Sequence, residues 1–173
     1  MPKLVTVWRR DDIVSQARHY VRSYILLPSG VLGLICMLGG IGGLGYQLLT
    51  GVSYTWNTFV VSSGLLILGG LCGAAQTLYH RHLFSTFPEV FAARMRAVVS
   101  KPSKKGKLDS QHEEIRHPGR ALVPLGYVIG AGMLLAGSIA AFQNGSVDAI
   151  PAVLMPWAGF YWGKLLLWRG IIH

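Results

Sequence analysis

Charge is what this sequence has least of. Asp, Glu, Lys and Arg make up 13% of its 173 residues, against about 25% in a typical soluble domain. The deficit excludes an ordinary water-facing surface. Acids are scarcer still, with seven Asp and Glu against sixteen Lys and Arg. From Ser23 to Tyr79 there is no Asp, Glu, Lys or Arg at all. One membrane-crossing helix needs about 20 apolar residues, so this run accommodates two helices and a short turn. Cysteine is nearly absent too. Cys36 and Cys72 both lie in apolar stretches, roughly 18 Å and 12 Å along their helices from the basic side at 1.5 Å per residue. Those unequal depths argue against a disulfide, and two cysteines are too few for a disulfide framework.

What is abundant fits the same class. The chain is 51% hydrophobic, has 22 glycines and a mean hydropathy of +0.43. Glycine-rich disordered or collagenous chains do not carry this much Leu, Ile and Val, whereas membrane helices use more glycine than soluble ones. The expected fold is an all-α integral membrane protein of four transmembrane helices in two hairpins, with amphipathic interfacial helices.

The segments follow from composition. Residues 1–22 form a basic N-terminal segment, with Asp11–Tyr24 patterned as an amphipathic helix whose two aspartates stand at its positive end. Residues 23–79 form the first hairpin, with helices at about 24–49 and 58–79. Residues 80–120 form a basic loop. In it Thr86-Phe-Pro-Glu89 reads as a capping box, leading to an interfacial helix with Val90, Phe91, Met95 and Val98 on its apolar face. Residues 121–168 form the second hairpin, with helices at about 121–142 and 150–168, and 169–173 is the tail. Pro156 is expected to kink the last helix, which is the least certain to span. A weak match at an offset of 96 (Leu26, Pro28, Gly30, Met37 and Leu38 with Leu122, Pro124, Gly126, Met133 and Leu134) is read as chance similarity between apolar segments, with internal duplication as the alternative.

Charge placement sets the orientation. All sixteen Lys and Arg fall in the N-terminal segment, the middle loop and the C-terminal end. The two short outer turns carry only Asp148. By the positive-inside rule, four spans place both termini on the cytoplasmic or equivalent inner side. The expected location is a bacterial or organellar inner membrane.

Glycine spacing is the main positive signal. Gly39/Gly43, Gly69/Gly73 and Gly126/Gly130 are GxxxG pairs, and Gly132/Ala136 and Gly137/Ala141 are small-residue pairs of the same spacing. Lipid tails are as apolar as leucine, so membrane helices associate where small residues let backbones approach. These are expected to be helix-packing faces. Lys101, Lys104, Lys105 and Lys107 form a basic segment suited to anionic lipid headgroups, at about 1 kcal/mol per basic residue, or to a partner. No aromatic interleaving or fold signature points to nucleic acid.

Chemistry-bearing patterns are rejected one by one. His112 and His117 are five residues apart, not the four a helical zinc-protease motif needs. None of the six histidines lies mid-span, so no metal or cofactor is expected. Lys164 is the only ionisable residue inside a predicted span, one turn from its end, where its ammonium can snorkel to the surface. No nucleophile has a histidine or acid at its depth. The expected function is therefore a non-catalytic accessory, structural or assembly subunit of a larger membrane complex, respiratory or photosynthetic for example. It would pack through its glycine faces and contact lipid and other subunits. One alternative is a small homo-oligomeric transporter or channel, which would depend on Lys164. Another is a haem- or pigment-binding protein, which would depend on His80 or His82.

Overall fold

The computed structural model describes residues 12–50, 54–88, 91–92, 94 and 122–169. Among them the chain is all helical, and three helices are long and apolar enough to cross a membrane.

Helix α1 runs from Asp12 to Thr50 without a break. The sequence suggested an amphipathic helix followed by a separate span. Here they join through a π-helical turn at Val21–Leu26, where the Leu27 N–H donates to the Arg22 carbonyl. The turn directly precedes Pro28, whose ring clashes with the carbonyl four residues back. Inserting one residue into the turn moves that carbonyl aside and lets the helix continue.

Helix α2 spans Trp56–Thr86. At its start the Thr55 N–H donates to Thr58 Oγ1 at 3.2 Å. It runs past the polar residues His80, Arg81 and His82 and so ends later than polarity suggested. Phe87, at φ −133°, terminates it, because a residue before proline avoids helical backbone. The expected capping box is only partly visible. Thr86 still belongs to α2, while Glu89, Val90, Met95 and Val98 lie outside the described residues.

Helix α3, Leu122–Gln143, turns into α4, Ala149–Trp168, through Asn144-Gly145. Gly145 has φ +64°, a conformation that costs glycine little, and its N–H closes the turn on the Phe142 carbonyl at 2.9 Å.

The arrangement centres on α4, which runs antiparallel to α1 and parallel to α2. A Cβ on Gly69 would strike the Pro156 carbonyl, and one on Gly73 the Phe160 carbonyl. In return, Gly159 faces the Leu66 carbonyl and Gly163 the Gly70 carbonyl. These two helices touch backbone to backbone. On the α1 side, a methyl on Gly40 would sit 2.8 Å from Met155 Sδ, and one on Gly43 would sit 2.8 Å from Pro151 Cδ.

Burial is inverted relative to a soluble domain. Ala152, Met155, Pro156, Ala158 and Gly159 of α4 are buried, while Leu38, Leu49, Ile67, Leu71 and Val128 point outward. Buried hydroxyls bond to their own helix. Thr77 donates to the Gly73 carbonyl at 2.8 Å and Ser138 to the Leu134 carbonyl at 2.9 Å. Such back-bonding satisfies a polar atom without a second helix.

The two ends differ. At one, Ala17, Val21, Leu83, Phe91 and Trp168 cluster, and Arg81 reaches the Leu167 carbonyl. The basic residues Arg18, Arg22, Arg81 and Arg169 flank this cluster. At the other end the α3–α4 turn meets α1 and α2: Asn57 Nδ2 donates to Ser146 Oγ at 2.8 Å, and the Asp148 N–H to Gln47 Oε1 at 3.4 Å. Removing the first of these bonds with Asn57→Ala is expected to cost about 1 kcal/mol, the usual net value of a neutral hydrogen bond. Thermal unfolding in mild detergent would measure it, and an unchanged midpoint would show that α2 and the α3–α4 turn are not coupled there.

Candidate functional site

Helix α3 is held more loosely than the others. Toward the hairpin-turn end, a Cβ on Gly137 would lie 3.3 Å from the methyls of Leu65 and Leu68. Toward the basic end, Tyr127 Oη and His80 Nε2 are 3.2 Å apart. Between and just beside these contacts α3 presents Gly126, Gly130 and Ala131 toward α2 and α4. No atom lies within 4 Å of where a Cβ on Gly126 or Gly130 would be. With so little side chain to fill the space, a cavity of about 700 Å³ opens there. That is within the usual range for small-molecule sites, ~300–1,000 Å³.

The walls are graded along the helix axes. Cys72, Met133, Leu134 and Trp157 line the deeper part. Gln76, Tyr79, Tyr127 and Lys164 line the part nearer the basic end. Lys164 Nζ lies 4.5 Å from the centre of the Phe160 ring, a cation–π contact. The described acids are Asp12, at the start of α1, and Asp148, at the opposite end of α4, and neither pairs with it. Gln76 Oε1 and Tyr79 Oη are buried with no hydrogen-bond partner among the described residues. An unpaired buried polar atom costs about 1–3 kcal/mol, so these two mark a place where a bound molecule would be stabilised.

The glycines singled out by spacing separate into two groups. Gly39, Gly43, Gly69 and Gly73 lie at helix contacts with α4, where a Cβ on Gly39 would come 2.6 Å from Leu154 Cδ1. Gly126 and Gly130 line the cavity instead. Lys101, Lys104, Lys105 and Lys107 lie outside the described residues. Sequence reasoning missed Gly159/Gly163, which have the same spacing but stand among Phe160, Tyr161 and Trp162, so the small face was hidden in a bulky stretch. It also read Lys164 as snorkelling and did not place Gln76 or Tyr79 beside it. Among the described residues no three His, Cys, Asp or Glu come together as a metal-binding group, and Cys36 and Cys72 are free thiols.

The groups around the cavity are suited to binding: an ammonium, an amide, phenols and aromatic walls. No family model, curated protein or solved structure matches the chain.

Proposed function

We propose that this chain is a non-catalytic structural or assembly subunit of a larger membrane protein complex, crossing the membrane four times with both termini on the cytoplasmic side. The observation that carries the reading is a second stripe of small residues on α3. Gly132, Ala136 and Ala140 recur every four residues and are all exposed. No atom lies within 4 Å of a Cβ on Gly132. The stripe begins at Gly132, two residues or about 200° of helix from the cavity-lining Gly130, so it starts on the far side of α3 from that residue. The chain uses the same spacing at Gly69/Gly73 and Gly159/Gly163 to bring two backbones together. A face built alike and left open suits the helix of another membrane subunit.

Two further observations support four spans. The sixteen Lys and Arg lie in the segments that such a topology groups on one side. Helix α4 has 20 residues, about 30 Å at 1.5 Å per residue and equal to the hydrocarbon core. Its prolines, aromatics and Lys164 make it less apolar than the other three, which a helix enclosed by its neighbours can tolerate.

The test is a mild-detergent pull-down of tagged protein from its native membrane, with a native gel and mass spectrometry of the bands. Other membrane subunits are expected to co-purify, and Gly132→Leu is expected to cut their recovery by about tenfold, equivalent to ~1.4 kcal/mol. Recovery of the chain alone would overturn the proposal. Recovery only as multiples of itself would replace it with a homo-oligomer.

A further inference from the structure

We infer that the cavity between α2, α3 and α4 holds one anionic membrane lipid, its phosphate on Lys164, a headgroup hydroxyl on Gln76 and one chain along the Gly126–Gly130 face. The inference goes beyond the subunit reading and does not depend on it, because the cavity lies where α3 meets α2 and α4, whereas Gly132, Ala136 and Ala140 do not line it.

Three features of the cavity select the ligand class. Lys164 supplies a positive charge that no described carboxylate neutralises. In a low-dielectric site such a charge draws an anionic oxygen strongly. The Gln76 side chain hydrogen-bonds Tyr127 but keeps Oε1 as a buried acceptor without a donor, and an amide oxygen is satisfied only by an N–H or O–H. Tyr79 Oη, also unpartnered, can donate to a second headgroup oxygen. A phosphate bearing a hydroxylated alcohol meets all three demands, which is the chemistry of a phosphoglycerol headgroup. A choline headgroup meets them poorly, since it offers no donor to Gln76 and brings a second cation toward Lys164.

The grading of the walls fits the rest of the molecule. The polar groups lie within about one turn of the basic end on α4, where Lys164 precedes Trp168 by four residues. Headgroups of lipids in that leaflet lie at a similar level. Beyond them the cavity continues along Cys72, Met133 and Trp157, surfaces that accept hydrocarbon. Glycine at 126 and 130 leaves the width that a chain needs.

Native mass spectrometry of the purified full-length chain tests this, with dioleoyl phosphatidylglycerol and dioleoyl phosphatidylcholine titrated separately from neutral detergent. One phosphatidylglycerol is expected to be retained at a concentration about tenfold below that for phosphatidylcholine, whose phosphate also meets Lys164 but whose headgroup gives Gln76 no donor. Gln76→Met is expected to abolish that preference, and Lys164→Gln to weaken retention of phosphatidylglycerol about tenfold. Gly130→Leu, which projects into the cavity from a position with no neighbour within 4 Å, is expected to prevent retention of either lipid while leaving helicity unchanged. Gly132→Leu, on the outer face, is expected to leave retention as in the natural chain, which separates this test from that of the subunit reading. Equal retention of the two lipids, or unchanged phosphatidylglycerol retention in Lys164→Gln, would overturn the assignment. Full retention in Gly130→Leu would place the lipid outside the cavity and overturn it as well.

Discussion

Gly69→Leu is expected to destabilise the folded chain by more than about 4 kcal/mol, a size seen only when a substitution breaks something the fold cannot adjust. The reason lies in what a side chain at 69 would meet. Its first carbon alone would run into the carbonyl oxygen of Pro156 and approach the Phe160 N–H. These are backbone atoms of the central helix, so no rotamer change relieves the clash. Only moving α2 away from α4 would do so, and that would also separate Gly73 from Phe160, Gly159 from Leu66 and Gly163 from Gly70. Folded proteins are stable by only about 5–15 kcal/mol in total, so one such change can empty the native state.

An internal contrast makes this expectation sharp. Gly42 and Gly64 are helical glycines with no atom within 4 Å of a Cβ. At those positions Gly→Ala is expected to be neutral or to stabilise by up to ~1 kcal/mol, the difference in helix propensity. At 69 even alanine is expected to reduce recovery of monodisperse protein in mild detergent. The same ordering should appear in the midpoint of unfolding by a denaturing detergent, followed by tryptophan fluorescence. If Gly69→Ala and Gly42→Ala unfold at the same point, α2 and α4 do not meet backbone to backbone.

That contrast also shows where sequence reasoning reached and where it stopped. The helical regions were legible because the charge-free run from Ser23 to Tyr79 and the turn at Asn144-Gly145 are written in residue types. Which glycines touch another helix was not. Gly69/Gly73 and Gly126/Gly130 have identical spacing, yet one pair meets a backbone and the other lines a cavity. Spacing is a property of one helix, and close approach is a property of two. Helix α4 looked the weakest span because its length is minimal and its prolines suit a re-entrant segment. It is the helix around which the others pack, with Val153, Trp162 and Leu166 left exposed. The join at Pro28 was hidden for a different reason. Proline signals a break, but a single π turn absorbs it. The cavity is made of missing side chains on one helix and orphaned polar atoms on another, and no local pattern announces such a coincidence.

Trp168 carries the second large expected effect. It is only 1% exposed and packs edge-on against Phe84, with ring centres 6.0 Å apart. Around it gather Ala17 and Val21 from α1, Leu83 from α2 and Phe91 from the segment after α2. One ring thus ties together the three regions that carry the basic residues. Trp168→Ala is expected to cost about 3–5 kcal/mol, the range for removing a buried aromatic from a packed cluster. It should also release the first turns of α1, so that trypsin cuts after Arg18 and Arg22 faster than in the natural chain. Trp168→Phe is expected to behave differently. The indole Nε1 has no hydrogen-bond partner among the described residues, so the smaller ring loses some packing but removes a buried donor that costs about 1–3 kcal/mol to leave unpaired. Its unfolding midpoint should stay close to that of the natural chain. Equal losses for alanine and phenylalanine would mean that the indole N–H, and not the ring, holds this end together.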